Sequence, residues 1–79
     1  MSELKADEEI DLTGVPCPQN AARALLRLET METGELLRIV IDDGEPIEQV
    51  PNSVTEEGHA LRRRDQLGDG RWVLFIEVA

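Results

Sequence analysis

The segment Arg71–Val78 constrains the fold more than any other stretch, because it is apolar on both faces. In an extended strand Trp72, Leu74, Ile76 and Val78 fall on one side, Val73 and Phe75 on the other. Such a strand needs cover on both faces and belongs in the middle of a sheet. Three other segments alternate with a period of two. Glu9–Leu12 sets Ile10 and Leu12 on one face; Glu35–Ile41 sets Leu37, Ile39 and Ile41 on one face and Leu36, Arg38 and Val40 on the other. His59–Asp65 has one large apolar residue, Leu61, and the run Arg62-Arg63-Arg64, which suits an edge where charge discourages sheet-to-sheet association. Gln66–Gly70 reads as the hairpin loop between the last two strands.

Between these segments the period becomes helical. From Pro18, the residues Ala21, Leu25 and Leu28 form a stripe, widened by Ala24, Leu26 and Met31, with Arg23, Arg27 and Thr30 opposite. This helix is expected to end near Glu32, before a turn at Thr33-Gly34. A second helix carries Ile47, Val50 and Val54 up to Glu57, with Gly58 as its stop and Pro51 expected to shorten or kink it. The order is β-α-β-α-β-β. It predicts an α/β two-layer sandwich: a mixed four-stranded sheet with two helices on one face, the first three strands parallel and the last antiparallel. Residues 1–8 are charged, lack an apolar face and read as a flexible tail; 9–79 read as a single domain.

The chemistry centres on Cys17, the single cysteine, in Thr13-Gly14-Val15-Pro16-Cys17-Pro18-Gln19-Asn20. Pro18 fits the first helical position, which makes Cys17 the expected N-cap. Free N–H groups and the dipole at a helix mouth favour a thiolate, the reactive form of cysteine. The parallel strands bring their carboxyl ends together. That places Asp42, Asp43 and Glu45 on the side of Cys17, along with a loop bearing Arg64, Asp69 and Arg71, while His59 falls at the opposite end. The acidic residues oppose the helix effect on the thiol; the alternative reading is that they only end a strand and charge the start of the second helix. Leu36, Val40, Val73 and Phe75 are expected to form an exposed apolar patch on the open sheet face.

One cysteine and one histidine exclude an internal disulfide and an all-protein structural zinc site. A net charge of −9 argues against direct binding of a nucleic acid backbone. No apolar run marks a membrane anchor or a signal peptide near the N-terminus. A small domain without disulfides points to a reducing compartment, hence to the cytoplasm.

The ordered set of motifs resembles the TusA/SirA-like sulfur carrier family. The likeness covers Ile10–Val78. It includes the leader Asp11-Leu12-Thr13-Gly14, Cys17-Pro18 opening a helix, Met-x-x-Gly-Glu at Met31–Glu35 and the pair Asp42-Asp43. Val50-Pro51 and Glu57-Gly58-His59 complete it. Where that family reads Cys-Pro-x-Pro, this chain has Asn20 in the fourth place and is similar to a variant branch reading Cys-Pro-x-Asn, with Asp-Asp-Gly-Glu-Pro at Asp42–Pro46. Asn20 restores a backbone N–H and adds an amide near the sulfur.

The resemblance implies the same β-α-β-α-β-β fold and a persulfide relay. Cys17 would take a sulfane sulfur from a donor protein (a cysteine desulfurase or rhodanese-like protein) and pass it to an acceptor sulfurtransferase, with no cofactor and no metal. Pro18, Gln19, Asn20, Asp42 and Asp43 are the supporting site residues on this reading. On this reading the protein is expected to act with partners; an autonomous thiol enzyme, peroxidase or rhodanese-like, is a rival that lacks an arginine-rich loop after Cys17 and a second, resolving cysteine. The alternative is an interaction or regulatory module that uses the open apolar sheet face, with Cys17 only a helix cap.

Overall fold

The computed structural model describes residues 5–79. Its elements are β1 (Glu8–Asp11), α1 (Gln19–Glu29), β2 (Leu36–Ile41), α2 (Glu45–Glu56), β3 (Ala60–Gln66) and β4 (Trp72–Glu77). The sheet order is β1-β2-β4-β3. β1 pairs parallel to β2, and β4 pairs antiparallel to both β2 and β3, so β1, β2 and β3 run in one direction. The strand that is apolar on both faces is therefore central, as its pattern requires, and the arginine-bearing strand is an edge. Part of the expected tail, residues 1–4, lies outside the described residues. Nearer the sheet, the N–H of Asp7 donates to the Leu36 carbonyl (2.8 Å), and the Asp7 carboxylate accepts from the Leu36 N–H (2.8 Å).

Both helices pack on one face of the sheet. Leu37, Ile39 and Ile41 from β2 and Leu74 and Ile76 from β4 meet Ala21, Ala24 and Leu28 of α1 and Ile47, Val50 and Val54 of α2 in one core. Full burial of a Val, Leu or Ile side chain contributes about 1.5–3 kcal/mol, so this cluster holds the layers together.

The stripe of α1 is narrower than the sequence pattern suggests. Its buried residues are Asn20, Ala21, Ala24 and Leu28, while Leu26 is 62% exposed. At about 100° per residue Leu26 lies some 200° from Leu28, on the outer side. The helix also stops at Glu29 rather than near Glu32. Thr30 closes it, with its hydroxyl donating to the Arg27 carbonyl (2.8 Å), and Met31 is buried beyond the helix end.

Pro51 does not shorten α2, which runs 12 residues. Its ring is buried with the apolar stripe, and the burial offsets the loss of one helical N–H donor. Pro46 occupies the first turn beside Glu45 and Glu48, whose carboxylates suit the positive end of the dipole. The helix ends in a Schellman motif: His59 N–H donates to the Val54 carbonyl (3.1 Å) and Gly58 N–H to that of Thr55 (3.0 Å). Gly58 adopts φ +100°, which an L side chain resists.

The open sheet face corrects another expectation. Val40 and Val73 are buried, and Leu36 and Phe75 are half-buried. Arg38 and Arg63 stand opposite Phe75 on its two neighbouring strands. Arg38 approaches Glu9 (3.9 Å) and Arg63 pairs with Asp65 (2.6 Å); arginine stems beside an apolar row shield it while their heads stay wet. No contiguous exposed apolar patch results from these four residues.

Candidate functional site

The loop from β1 to α1 is pinned at several points before it reaches Cys17. Leu12 is buried and its N–H extends the sheet to the Val40 carbonyl (2.8 Å). The Asp11 carboxylate accepts from the Thr13 N–H (2.9 Å) and the Asp42 carboxylate from the Gly14 N–H (2.7 Å). Gly14 turns the chain at φ +80°. From the hairpin loop, Arg71 donates to the Thr13 hydroxyl (3.3 Å) and pairs with Asp69 (2.9 Å). Hydrogen bonds from Thr13 hold the Asp11 carboxyl below its usual pKa, the Arg71 guanidinium does the same for Asp69, and Asp69 in turn raises Arg71.

Cys17 itself is a half-buried free thiol, joined to Pro18 by a cis peptide bond. It is not the N-cap: Pro18 holds that place, without a side-chain cap, and α1 starts at Gln19. The thiol donates toward two carboxamide oxygens, Gln49 Oε1 at 2.8 Å and Asn20 Oδ1 at 3.4 Å. Asn20 is fully buried, and its Oδ1 also accepts the Ala21 N–H (2.6 Å). Its Nδ2 is buried with no hydrogen-bond partner. An unpaired buried donor costs about 1–3 kcal/mol, which makes this the least satisfied polar group at the site.

The helix mouth works differently from the sequence expectation. Three of the first four N–H groups of α1 already have partners: Asn20 donates to Pro16 O (3.0 Å), Ala21 to Asn20 Oδ1 and Ala22 to Pro18 O (3.1 Å). The sulfur's partners among the described residues are side-chain amides instead. Gln19 is exposed on the first turn. Asp42 and Asp43 are engaged elsewhere, Asp42 with Gly14 and Asp43 with the indole N–H of Trp72 (2.9 Å). The structure thus brings Asn20 to the sulfur and leaves the acidic pair one layer back, holding the loop and β4. His59 stands at the far end of α2, where its Nδ1 accepts the Ala79 N–H (3.1 Å). Among the described residues no group of three or more His, Cys, Asp or Glu is placed to hold a metal.

Gln49 escaped the sequence reading. No spacing rule links positions 17 and 49. The topology did contain a signal, since both helices start from the same end of the sheet and their first turns are neighbours. Gln49 is the amide flanking the Ile47–Val50 stripe there.

A half-buried lone thiol before the first helix of a two-layer β-α-β-α-β-β sandwich defines a class of small thiol-bearing α/β domains. The crystal structure of the SirA-like protein from Desulfitobacterium hafniense has this fold, with a TM-score of 0.80 at 19% identity, covering 91% of this chain and 97% of that one. The model of the family "Sulfurtransferase TusA" matches residues 8–78, and the chain belongs to that family. A "Putative sulfur carrier protein" of Archaeoglobus fulgidus is 35% identical over 75 residues, covering 95% of this chain and 85% of the relative. The "Putative sulfur carrier protein TsuB" of Escherichia coli is 31% identical over 72 residues, covering 91% of this chain and 96% of the relative. A Thermotoga maritima relative with the same carrier name is 27% identical over 78 residues, covering 99% of both chains.

Proposed function

We propose that this protein is a sulfur carrier that holds a sulfane sulfur as a persulfide on Cys17 and relays it between two partner proteins. The observation that carries this reading is the Cys17 thiol itself, half-exposed and free at the sheet end from which both helices start. In loading, the Cys17 thiolate attacks the outer sulfur of a donor persulfide. A sulfur–sulfur bond forms at Cys17, the donor's own breaks, and its electron pair leaves on the donor cysteine. Unloading is the same exchange with an acceptor thiolate attacking the outer sulfur and Cys17 departing. No second cysteine is present in the chain to expel the sulfur by closing a disulfide.

The donor is a cysteine desulfurase or rhodanese-like protein and the acceptor a sulfurtransferase. A lone reduced thiol suits the cytoplasm as the working compartment. Family membership and the relatives' names support the carrier role. The interaction-module reading loses its main support, because Val40 and Val73 are buried. Gly14, Asp42 and Arg71 act by holding the approach loop rather than by touching the sulfur.

Intact mass spectrometry after exposure to a cysteine desulfurase and cysteine tests the proposal. The expected result is a gain of one sulfur atom in the wild type and none in Cys17→Ala. An unchanged wild-type mass would overturn it.

A further inference from the structure

We infer that the Gln49 carboxamide serves the Cys17 sulfur in two states, accepting from the thiol and donating to the thiolate. The inference deepens the carrier reading and rests on it. In both transfer steps the charge that appears or disappears sits on Cys17 Sγ, first as nucleophile and then as leaving group. An anionic sulfur accepts hydrogen bonds and donates none, so it needs N–H groups around it. Most of the helix mouth cannot provide them, because the N–H groups of Asn20, Ala21 and Ala22 are already bonded to Pro16, Asn20 Oδ1 and Pro18.

The Gln49 carboxamide can. It presents an oxygen and an NH2 in one plane, and a half-turn exchanges acceptor for donor. Gln49 is exposed on α2, and among the described residues its side chain bonds only to the sulfur, at 2.8 Å, so nothing there opposes its half-turn. Asn20, fully buried beside the same sulfur, cannot follow: the Ala21 N–H holds its Oδ1 in place (2.6 Å), so the exchange falls to Gln49. A neutral donor suits this work, since a carboxylate in its place would repel the thiolate.

Inorganic polysulfide and cyanide supply a test without partner proteins. In loading, the Cys17 thiolate attacks a sulfane sulfur of polysulfide; a sulfur–sulfur bond forms at Cys17, one in polysulfide breaks, and its electron pair leaves on the shortened chain. In unloading, cyanide attacks the outer sulfur; the persulfide bond breaks, its electron pair stays on Cys17 Sγ, and thiocyanate departs. Both rates are read by intact mass and thiocyanate formation for the wild type, Gln49→Glu, Gln49→Met and Gln49→Lys. Loss of a charge-assisted donor is expected to slow both steps about tenfold in Gln49→Glu and Gln49→Met. Gln49→Lys, which keeps a donor, should stay within about twofold of wild type.

Melting temperatures should not move, because the residue is exposed. Asn20→Ala is a supporting variant only, since a buried position is apt to disturb folding, and the Gln49 series decides the matter. Wild-type rates in Gln49→Glu, or a Gln49→Lys as slow as Gln49→Met, would overturn the carboxamide role while leaving the carrier reading intact. A wild-type protein that takes no sulfur from polysulfide or from a desulfurase overturns both.

Discussion

Asp42 separates a loop that is held from one that merely follows a strand. Its carboxylate accepts the Gly14 N–H at 2.7 Å, three residues before Cys17 and across 28 positions of sequence. A hydrogen bond to a charged group contributes about 1.5–3 kcal/mol when well shielded. Asp42 is half-exposed, and Gly14 is exposed, so water replaces part of what Asp42→Ala removes. About 1 kcal/mol is the reasonable loss after that discount. In a domain of this size it lowers the melting temperature by about 4–8 °C. Asp42→Asn keeps an acceptor oxygen and should lose roughly half as much.

Thermal unfolding followed by circular dichroism gives the stability, and sulfur loading from polysulfide gives the functional consequence. Loading should slow in Asp42→Ala by more than the unfolded fraction explains, because the approach to Cys17 is no longer fixed. If Asp42 only terminates β2, neither quantity changes. A melting temperature within 1 °C of wild type, with unaltered loading, would refute the reasoning.

Two further outcomes test other parts of the structure. Leu28→Ala should cost about 2–5 kcal/mol in urea unfolding, whereas Leu26→Ala on the outer side of the same helix should change stability by less than about 1 kcal/mol. Comparable losses at both positions would show that α1 presents a wider face to the sheet than described. Asp11 and Asp69 have folded pKa values below their ordinary 3.8, so the folded state favours their charged forms. The stability they contribute is fully present above that value and is lost as pH falls through the lower folded pKa. The acid limb of a pH–stability curve should therefore flatten in the double variant Asp11→Asn, Asp69→Asn, and an unaltered limb would count against the Thr13 and Arg71 contacts.

The architecture was legible because each element carried its own period. Arg71–Val78 demanded the centre of the sheet, and the arginine run demanded an edge. The misplacements were local. Leu26 is apolar but out of phase with the stripe, so composition suggested burial that geometry denies. Pro51 suggested a short α2, yet a proline whose ring packs in the core is tolerated within 12 residues of helix. At the site, the lone cysteine and Asn20 were visible, but their environment was not. Which helix N–H groups remain free depends on the carbonyls of Pro16 and Pro18, and no pattern in one sequence reports that. The apolar open face was overestimated for a related reason. Arg38 and Arg63 count as charges in a sequence, while most of their length is hydrocarbon.

The central position of β4 bears on how the domain is made. Synthesis reaches β4 after the other strands of the sheet, yet among the described residues β3 pairs with β4 alone and β4 completes the pairing of β2. Until Trp72–Glu77 leaves the ribosome, β3 has no ladder and β2 lacks its partner on one edge. About 30 residues separate the end of β2 from the start of β4, an interval of seconds at about 5–20 residues per second. During that interval Cys17 is already outside, on a chain whose sheet is not yet closed. The sheet around the thiol is complete only with the last strand, so Cys17 is made first and its surroundings last.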